Sequence, residues 1–526
     1  MRWLGALALV GACGGTSSPS TPVSLVLDIP NGVLDPKGYT TVEIVLHEPD
    51  GDVTRTTAVD GSGNFGLDRI DPSNSVSVEA TLRNNSGAAM GYGRTAVAAQ
   101  LASGATITVP VRRPIAYVAG TVSRDADNNP QTPALHWTEA PATYADLSTS
   151  APLDGKSVVG SNAVLMIAAG PNLFMVTQAT SDPVGALTGA AQLMPLSSAD
   201  HAVGTALPGT MTGAVIDGAG SDDGAQLVIG TTTQLFAVDT ASGAARPLAD
   251  GNFARVAILT SDTGEIDAIA IKNRGATTGA CATTAELWWA PLTGGGMAHM
   301  VATGGFSDVA TDRGHAYYVD ACKGELGEAT ATTTKLLLAI PGTGTAAGAT
   351  AGKPTALAVS NGQAYIGVEI PPPGTGMPAT SSLLVAAIGS SDPPGTLWTE
   401  RAQQVLDVVA TPDVQRLLSA SSVVFGHLEV GAGGDYVALS TSAHFHAAAI
   451  PNLFPEMTID TEELRVFAAA TGGIVQRYRS WCDGVLRNDG SELSGWECTA
   501  ATGQSAPAAD MFEHHIGSMT FLFGKK

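Results

Sequence analysis

Three groups of residues in this chain of 526 residues have the types and spacing to do chemistry. Asp125-Ala126-Asp127-Asn128-Asn129 sets oxygen ligands at alternating positions, which is how a calcium loop brings carboxylates onto a hard cation. Pro130 stands where a helix-loop-helix calcium site needs glycine, so an Asx-rich turn is the simpler reading. His444-Phe445-His446 places two imidazoles on one face of a strand, a spacing open to a transition metal if His427, His514 or His515 supplies a third ligand. Arg477-Tyr478-Arg479-Ser480-Trp481-Cys482, followed by Ser494-Gly495-Trp496-Glu497-Cys498, concentrates residue types that anchor binding sites. Arg477, Tyr478, Arg479, Trp481 and Trp496 would suit a protein or glycan partner; alternatively the stretch is a disulfide-closed hairpin that completes a repeat domain.

Other motifs dissolve on inspection. Gly348-Ala349-Thr350-Ala351-Gly352-Lys353 lacks the first glycine of a phosphate loop, and Pro354 replaces the hydroxyl that would hold magnesium. Asp222-Asp223-Gly224 reads as an ordinary turn. No Gly-x-Ser-x-Gly elbow and no His-Glu-x-x-His helix occurs. No catalytic residue is assigned, no cofactor is expected beyond calcium at Asp125, Asp127 and Asn129, and a binding role is favoured over an enzyme.

The elements that must carry these residues are strands. Charged residues are only 14 % of the chain, whereas it has 62 Gly and 30 Pro among abundant Thr, Ser and Ala. That balance favours turns and short strands over surface helices. The formal net charge is −22 and no Lys/Arg cluster exceeds the pair Arg112-Arg113. Nucleic acid is therefore not expected as a partner, because phosphate neutralisation needs concentrated positive charge.

At the N-terminus, Arg2, the apolar run Trp3 to Val10 and Val10-Gly11-Ala12-Cys13 are too short to span a bilayer, which takes roughly 20 residues. They resemble a bacterial lipoprotein signal, whose cysteine is acylated after cleavage. The resemblance implies a signal peptide over 1–12, lipid on Cys13 that anchors the chain to the membrane, and export to the cell envelope. Gly14 in place of Asp favours the outer membrane. Residues 13–22, rich in Gly, Ser and Pro, read as a flexible tether. The remaining cysteines, Cys281, Cys322, Cys482 and Cys498, suit disulfides in an oxidising compartment. Three pairings are formally possible, and the sequence-local one, Cys281–Cys322 with Cys482–Cys498, is preferred.

Residues 23–114 read as a small β-sandwich. Val42–Leu46, Val76–Leu82 and Ile107–Val111 alternate apolar and polar residues, the mark of strands with one buried face. Asp60-Gly61-Ser62-Gly63-Asn64-Phe65 resembles the turn of transthyretin-like or carboxypeptidase-regulatory-like sandwiches, which implies a spacer or adhesion module. Residues 115–526 read differently, as a recurring strand, turn, strand and Asp-x-x-x-Gly unit, seen clearly in Leu227–Gly243. Units entered at Leu173, Leu235, Leu287, Leu336 and Leu383 lie 47 to 62 residues apart, close to one four-stranded propeller blade. The expected architecture is all-β: a β-propeller of six to eight blades behind a sandwich. Uninterrupted apolar runs such as Leu336–Ile340 are expected to be buried on both faces, and Gly426–Pro451 to be a longer blade or an insertion. The expected role is a lipid-anchored binding or scaffold platform; the alternative is a metal-assisted hydrolase or lyase with its site in the central channel.

Overall fold

In a computed structural model the chain is described at residues 24–29, 38–48, 51–58, 75–95, 99–100, 106–120, 134–137, 162–179, 187–197, 202–261, 264–275, 282–293, 295–345, 351–371, 379–401, 419–447, 457–480, 511–512 and 516–525. The N-terminal strands are β1 (Ser24–Asp28), β2 (Thr41–Glu48), β3 (Gly51–Ala58), β4 (Ser75–Arg83), β5 (Ala89–Arg94), β6 (Ala99–Gln100) and β7 (Thr106–Pro110). β1 and β7 pair in parallel, and β3-β2-β4-β5 form a sheet that β6 joins at β4. Alternation decides which faces meet. Val42, Ile44 and Leu46 of β2 and Val76, Val78, Ala80 and Leu82 of β4 pack on Leu25, Leu27, Val109 and Val111 of the other sheet. The turn at Asp60 lies outside the described residues.

Among the described residues seven sheets stand behind this sandwich, antiparallel except where the two-residue strand Met511–Phe512 joins its sheet in parallel. Blades I to V occupy residues 162–211, 215–250, 253–304, 306–339 and 353–401, each four strands in sequence order. Blade VI, residues 419–512, is a five-stranded sheet whose first three strands run 13, 12 and 12 residues, so the poorly fitting stretch from Gly426 is a longer blade. Blade VII is built from both ends of the region. The C-terminal strand Ile516–Phe521 pairs with β8 (Ala116–Gly120), which pairs with β9 (Ala134–Trp137). First strands of successive blades pack side by side, and the C-terminal strand lies between those of blades VI and I, closing a ring.

One device recurs at every blade junction. Each inner strand is the edge of its sheet, so one side of its backbone has no ladder partner. A side chain from the adjoining blade reaches across. Val215 N–H donates to Gln178 (3.0 Å), Val256 to Asp217 (3.0 Å), Leu357 to Asp308 (2.9 Å), Phe425 to Glu369 (3.1 Å), Phe521 to Glu429 (2.8 Å) and Met166 to Ser518 (3.1 Å). Between blades III and IV the Thr311 hydroxyl donates instead to the Ile258 carbonyl, at 2.6 Å. The ring is thus stitched at all seven junctions.

The repeat spacing read from the sequence mixes strand positions. Leu235, Leu287 and Leu383 lie on third strands, but Leu173 lies on the second strand of blade I and Leu336 on the fourth of blade IV. Nor is the run at Leu336 buried on both faces: Leu336 is 54 % exposed. A fourth strand has a sheet neighbour on one edge only and lies farthest from the axis, so its apolar residues are covered incompletely. The Asp-x-x-x-Gly turn does form as expected. Asp239 accepts from the Ser242 N–H (2.8 Å) and hydroxyl (2.7 Å), and Gly243 supplies the positive φ that closes the turn.

Candidate functional site

Alternation gives the sandwich sheet a second, polar face, and this face is turned onto the propeller rather than into solvent. β2 contributes Glu43 and His47 to it, β4 contributes Glu79 and Arg83, and β5 contributes Tyr92 and Arg94. Gly93, between the last two, lets β7 pass close behind: a Cβ there would stand 1.9 Å from the Pro110 carbonyl oxygen. The sheet covers the end of the channel where each first strand turns into the second, and a cavity of about 310 Å³ remains beneath it.

Charged groups meet across this mouth. Arg94, itself buried, pairs with Asp222 in the first turn of blade II. Asp52 of β3 accepts from Arg313 of blade IV at 2.7 Å, and Arg83 pairs with Asp435 of blade VI at 2.7 Å while holding Glu43 at 3.1 Å. Lys525, just past the C-terminal strand, lies 3.4 Å from Asp312 and 3.8 Å from Asp222. Within the sandwich, His47 stands between two carboxylates, Nδ1 2.8 Å from Asp52 and Nε2 3.3 Å from Glu79.

This electrostatic environment sets the protonation states. Burial alone would raise the Glu79 carboxyl, but the hydrogen bond and charge of His47, with Arg94 and Lys525 behind it, hold it down to about 2. Burial would lower His47, yet Glu79 and Asp52 outweigh it and raise the imidazole above 6.5. Asp222, pushed up by burial, is brought below the usual carboxylate range by Arg94 and Lys525. Tyr92 is raised well above 10 by burial and by Glu79. The result is a set of mutually matched charged groups, with the two carboxylates holding the His47 imidazole toward its cationic form.

On the side of blades VI and VII apolar packing surrounds the Arg83–Asp435 pair. Tyr92 meets Phe523 edge-on, with ring centroids 6.0 Å apart, and belongs to one core with Ala89, Ile115, Ala432, Tyr436 and Phe521. Gly433 fits only as glycine, because its φ is +64° and a Cβ would lie 2.5 Å from the Tyr92 ring. The Tyr436 hydroxyl donates to the Ala89 carbonyl at 3.0 Å.

The residues singled out in the sequence lie elsewhere. His444 and His446 sit near the end of the second strand of blade VI, opposite Asp460 and Thr458. Arg477, Tyr478 and Arg479 are on its fourth strand, opposite Arg465, Leu464 and Glu463, so the third strand separates the two sets. Cys322 is buried past the second strand of blade IV, with Sγ 3.4 Å from the carbonyl oxygen of Ala282, next to Cys281 in sequence. Cys13, Asp125, Asp127, Asn129, Cys281, Trp481, Cys482, Trp496 and Cys498 lie outside the described residues. Among the described residues no group of three or more His, Cys, Asp or Glu side chains is placed to hold a metal ion, and no helix is long and apolar enough to cross a membrane. Sequence reasoning missed His47, Glu79, Arg94 and Lys525. For the first three the signal was the polar half of the alternation in β2, β4 and β5; Lys525 lies past the C-terminal strand and carried no such signal.

No family model and no curated protein matches this chain. Solved structures with similar folds include a Bacteroides fragilis protein provisionally named a 6-phosphogluconolactonase (10 % identity, TM-score 0.36, covering 70 % of this chain and 97 % of that one). The WD40 repeats of RRP9 are similar at 12 % identity and TM-score 0.33, covering 56 % and 78 %. The nidogen/laminin complex is similar at 10 % identity and TM-score 0.32, covering 55 % and 94 %. Nothing about activity or ligand follows at such identities. The propeller stands on this chain's own ring of blades.

Proposed function

We propose that the protein is an exported lipoprotein, anchored through lipid on Cys13, whose propeller serves as a binding or scaffold platform for a protein or glycan partner. One observation carries this reading: the sandwich covers one mouth of the channel and pairs its charges there, which leaves the opposite face for recognition. Strand direction assigns several nominated positions to that opposite face. Inner strands begin there, so the second strand of blade VI ends there with His444 and His446, and its fourth strand ends there with Arg479. The strands that end at Gly120, Lys272, Ile370, Ala447 and Ser480 all end at this face. Recognition in such folds is carried by loops on a rigid scaffold. Cys322 belongs to the same face, and its placement beside Ala282 supports a Cys281–Cys322 disulfide.

The test uses the full chain in intact cells. A photo-crosslinking residue at Arg479 should give a discrete adduct that is missing when the crosslinker replaces Ala241, on an exposed turn of blade II. No adduct at Arg479 would refute the platform. Radiolabelled palmitate should enter the natural chain but not Cys13→Ser.

The alternative, a metal-assisted hydrolase or lyase working in the channel, needs three converging carboxylate or imidazole groups, and His47, Asp52 and Glu79 at the cavity are paired with one another rather than placed to hold an ion.

A further inference from the structure

The contact between sandwich and propeller is chemically lopsided. Next to the link from β7 to β8 it is chiefly apolar, with Tyr92, Ala89 and Phe523 continuous with the core of blades VI and VII and a single ion pair, Arg83–Asp435, beside them. Across the channel, over blades II and IV, it consists of ions: Arg94 with Asp222, and Asp52 with Arg313. The cavity lies between these two zones, bordered by Thr260 and Ser261 of blade III and by Lys525. The sandwich also has a core of its own, which includes no propeller residue. A body with its own core, fastened by apolar packing at one edge and by charge at the other, can tilt about the first edge when the second lets go.

We infer that the sandwich is a hinged lid on the channel. The hinge is the Tyr92–Phe523 contact with the adjoining segment Val111–Ile115, and the latch is the pair of ion pairs Arg94–Asp222 and Asp52–Arg313. Closed, the lid restricts access to the cavity. Open, it exposes the cavity while the sandwich stays attached and folded. Apolar burial is insensitive to moderate salt, whereas the Asp52–Arg313 pair, with both side chains more than a third exposed, is screened by it, so ionic strength weakens the latch at that pair, acts less on the enclosed Arg94–Asp222 pair and spares the hinge.

The test is thiol labelling of the full chain, read peptide by peptide by mass spectrometry so that the native cysteines do not interfere. Thr260→Cys reports from inside the cavity and Ala241→Cys from an exposed turn. Thr260→Cys should react at least about tenfold more slowly than Ala241→Cys, and its rate should rise about threefold or more between about 0.05 and 1 M sodium chloride. Adding Asp222→Asn with Arg313→Gln should give the fast rate at low salt. Equal rates at the two positions at low salt in the chain whose latch is intact would mean that the cavity is already open and would overturn the lid. So would a slow Thr260→Cys rate that neither salt nor the latch substitutions change. Where the doubly substituted chain fails to fold, the salt series on Thr260→Cys alone decides.

Discussion

Arg94 of the sandwich and Asp222 of blade II stand 128 residues apart in sequence and form an ion pair over the channel mouth. Arg94 is almost fully enclosed, while Asp222 keeps 30 % of its side chain exposed and has Lys525 as a second partner. Removing one partner of a fully buried pair costs roughly 3–5 kcal/mol, and an exposed pair contributes at most about 1. Arg94→Met should therefore lower unfolding free energy by about 2 kcal/mol in urea denaturation. Asp222→Asn should cost more than Ser242→Ala, which removes only a turn contact on the surface.

The His47–Glu79 contact fixes a pH profile. Glu79 is depressed when folded, so its contribution is complete above the unfolded value of about 4.5 and is lost as pH falls toward about 2. Asp52 and Asp222, also depressed, add to this acid limb. His47 is raised when folded, so its contribution is complete below about 6.5 and is lost as pH rises through its folded value. Both limbs describe one contact and are not summed. Urea midpoints should be highest between about pH 4.5 and 6.5 and fall on either side, with the acid loss from Glu79 on the order of 2–3 kcal/mol. Glu79→Gln should flatten much of the acid limb and His47→Gln the alkaline one. A midpoint that climbs steadily from pH 6.5 to 8.5 would contradict this arrangement.

How much of this was legible in the sequence depended on the range of the interaction. Alternation in Val42–Leu46 and Val76–Leu82 specifies a strand with one buried face, because side-chain direction repeats every two residues. The Asp239–Gly243 turn was legible for the same reason: its hydrogen bonds span at most three or four residues. In Asp222-Asp223-Gly224 the turn was legible, with Asp223 accepting from Ala225 and Ser221, but the partner of Asp222 was not. Arg94, Arg313 and Lys525 reach the mouth from strands and turns far apart in the chain, and no local pattern encodes that meeting. Strand order within a blade was equally hidden, since Leu383 and Leu336 sit in similar apolar runs.

Those two leucines give a direct contrast. Leu383 is fully buried on the third strand of blade V, and Leu336 is half-exposed on the outermost strand of blade IV. Leu383→Ala should cost about 2–5 kcal/mol through lost burial and the cavity it leaves. Leu336→Lys should stay within about 0.5 kcal/mol, as surface changes do. Thermal unfolding of both chains checks the strand assignment, and a large loss from Leu336→Lys would show that its strand is covered.

Ring closure rests on the C-terminal strand more heavily than its six residues suggest. Its backbone pairs with β8, its Ser518 hydroxyl accepts the Met166 N–H of blade I, and the Phe521 N–H and Thr520 hydroxyl both donate to Glu429 of blade VI. Phe521 is 2 % exposed, with its ring against Gly431, where a Cβ would stand 2.7 Å from ring carbon. Phe521→Ala should cost about 3–5 kcal/mol, and Gly431→Leu should be destabilising at the same junction from the opposite side. Ending the chain before Ile516 removes the inner strand of blade VII together with both neighbouring stitches. Because blade VII carries β8, the element that follows the sandwich, that loss reaches the lid as well. Hydrogen exchange of the truncated chain should show protection lost first in 116–120 and at the edges of blades I and VI, with blades III and IV affected last. Uniform loss of protection around the ring would mean that closure is not the weak point of the fold.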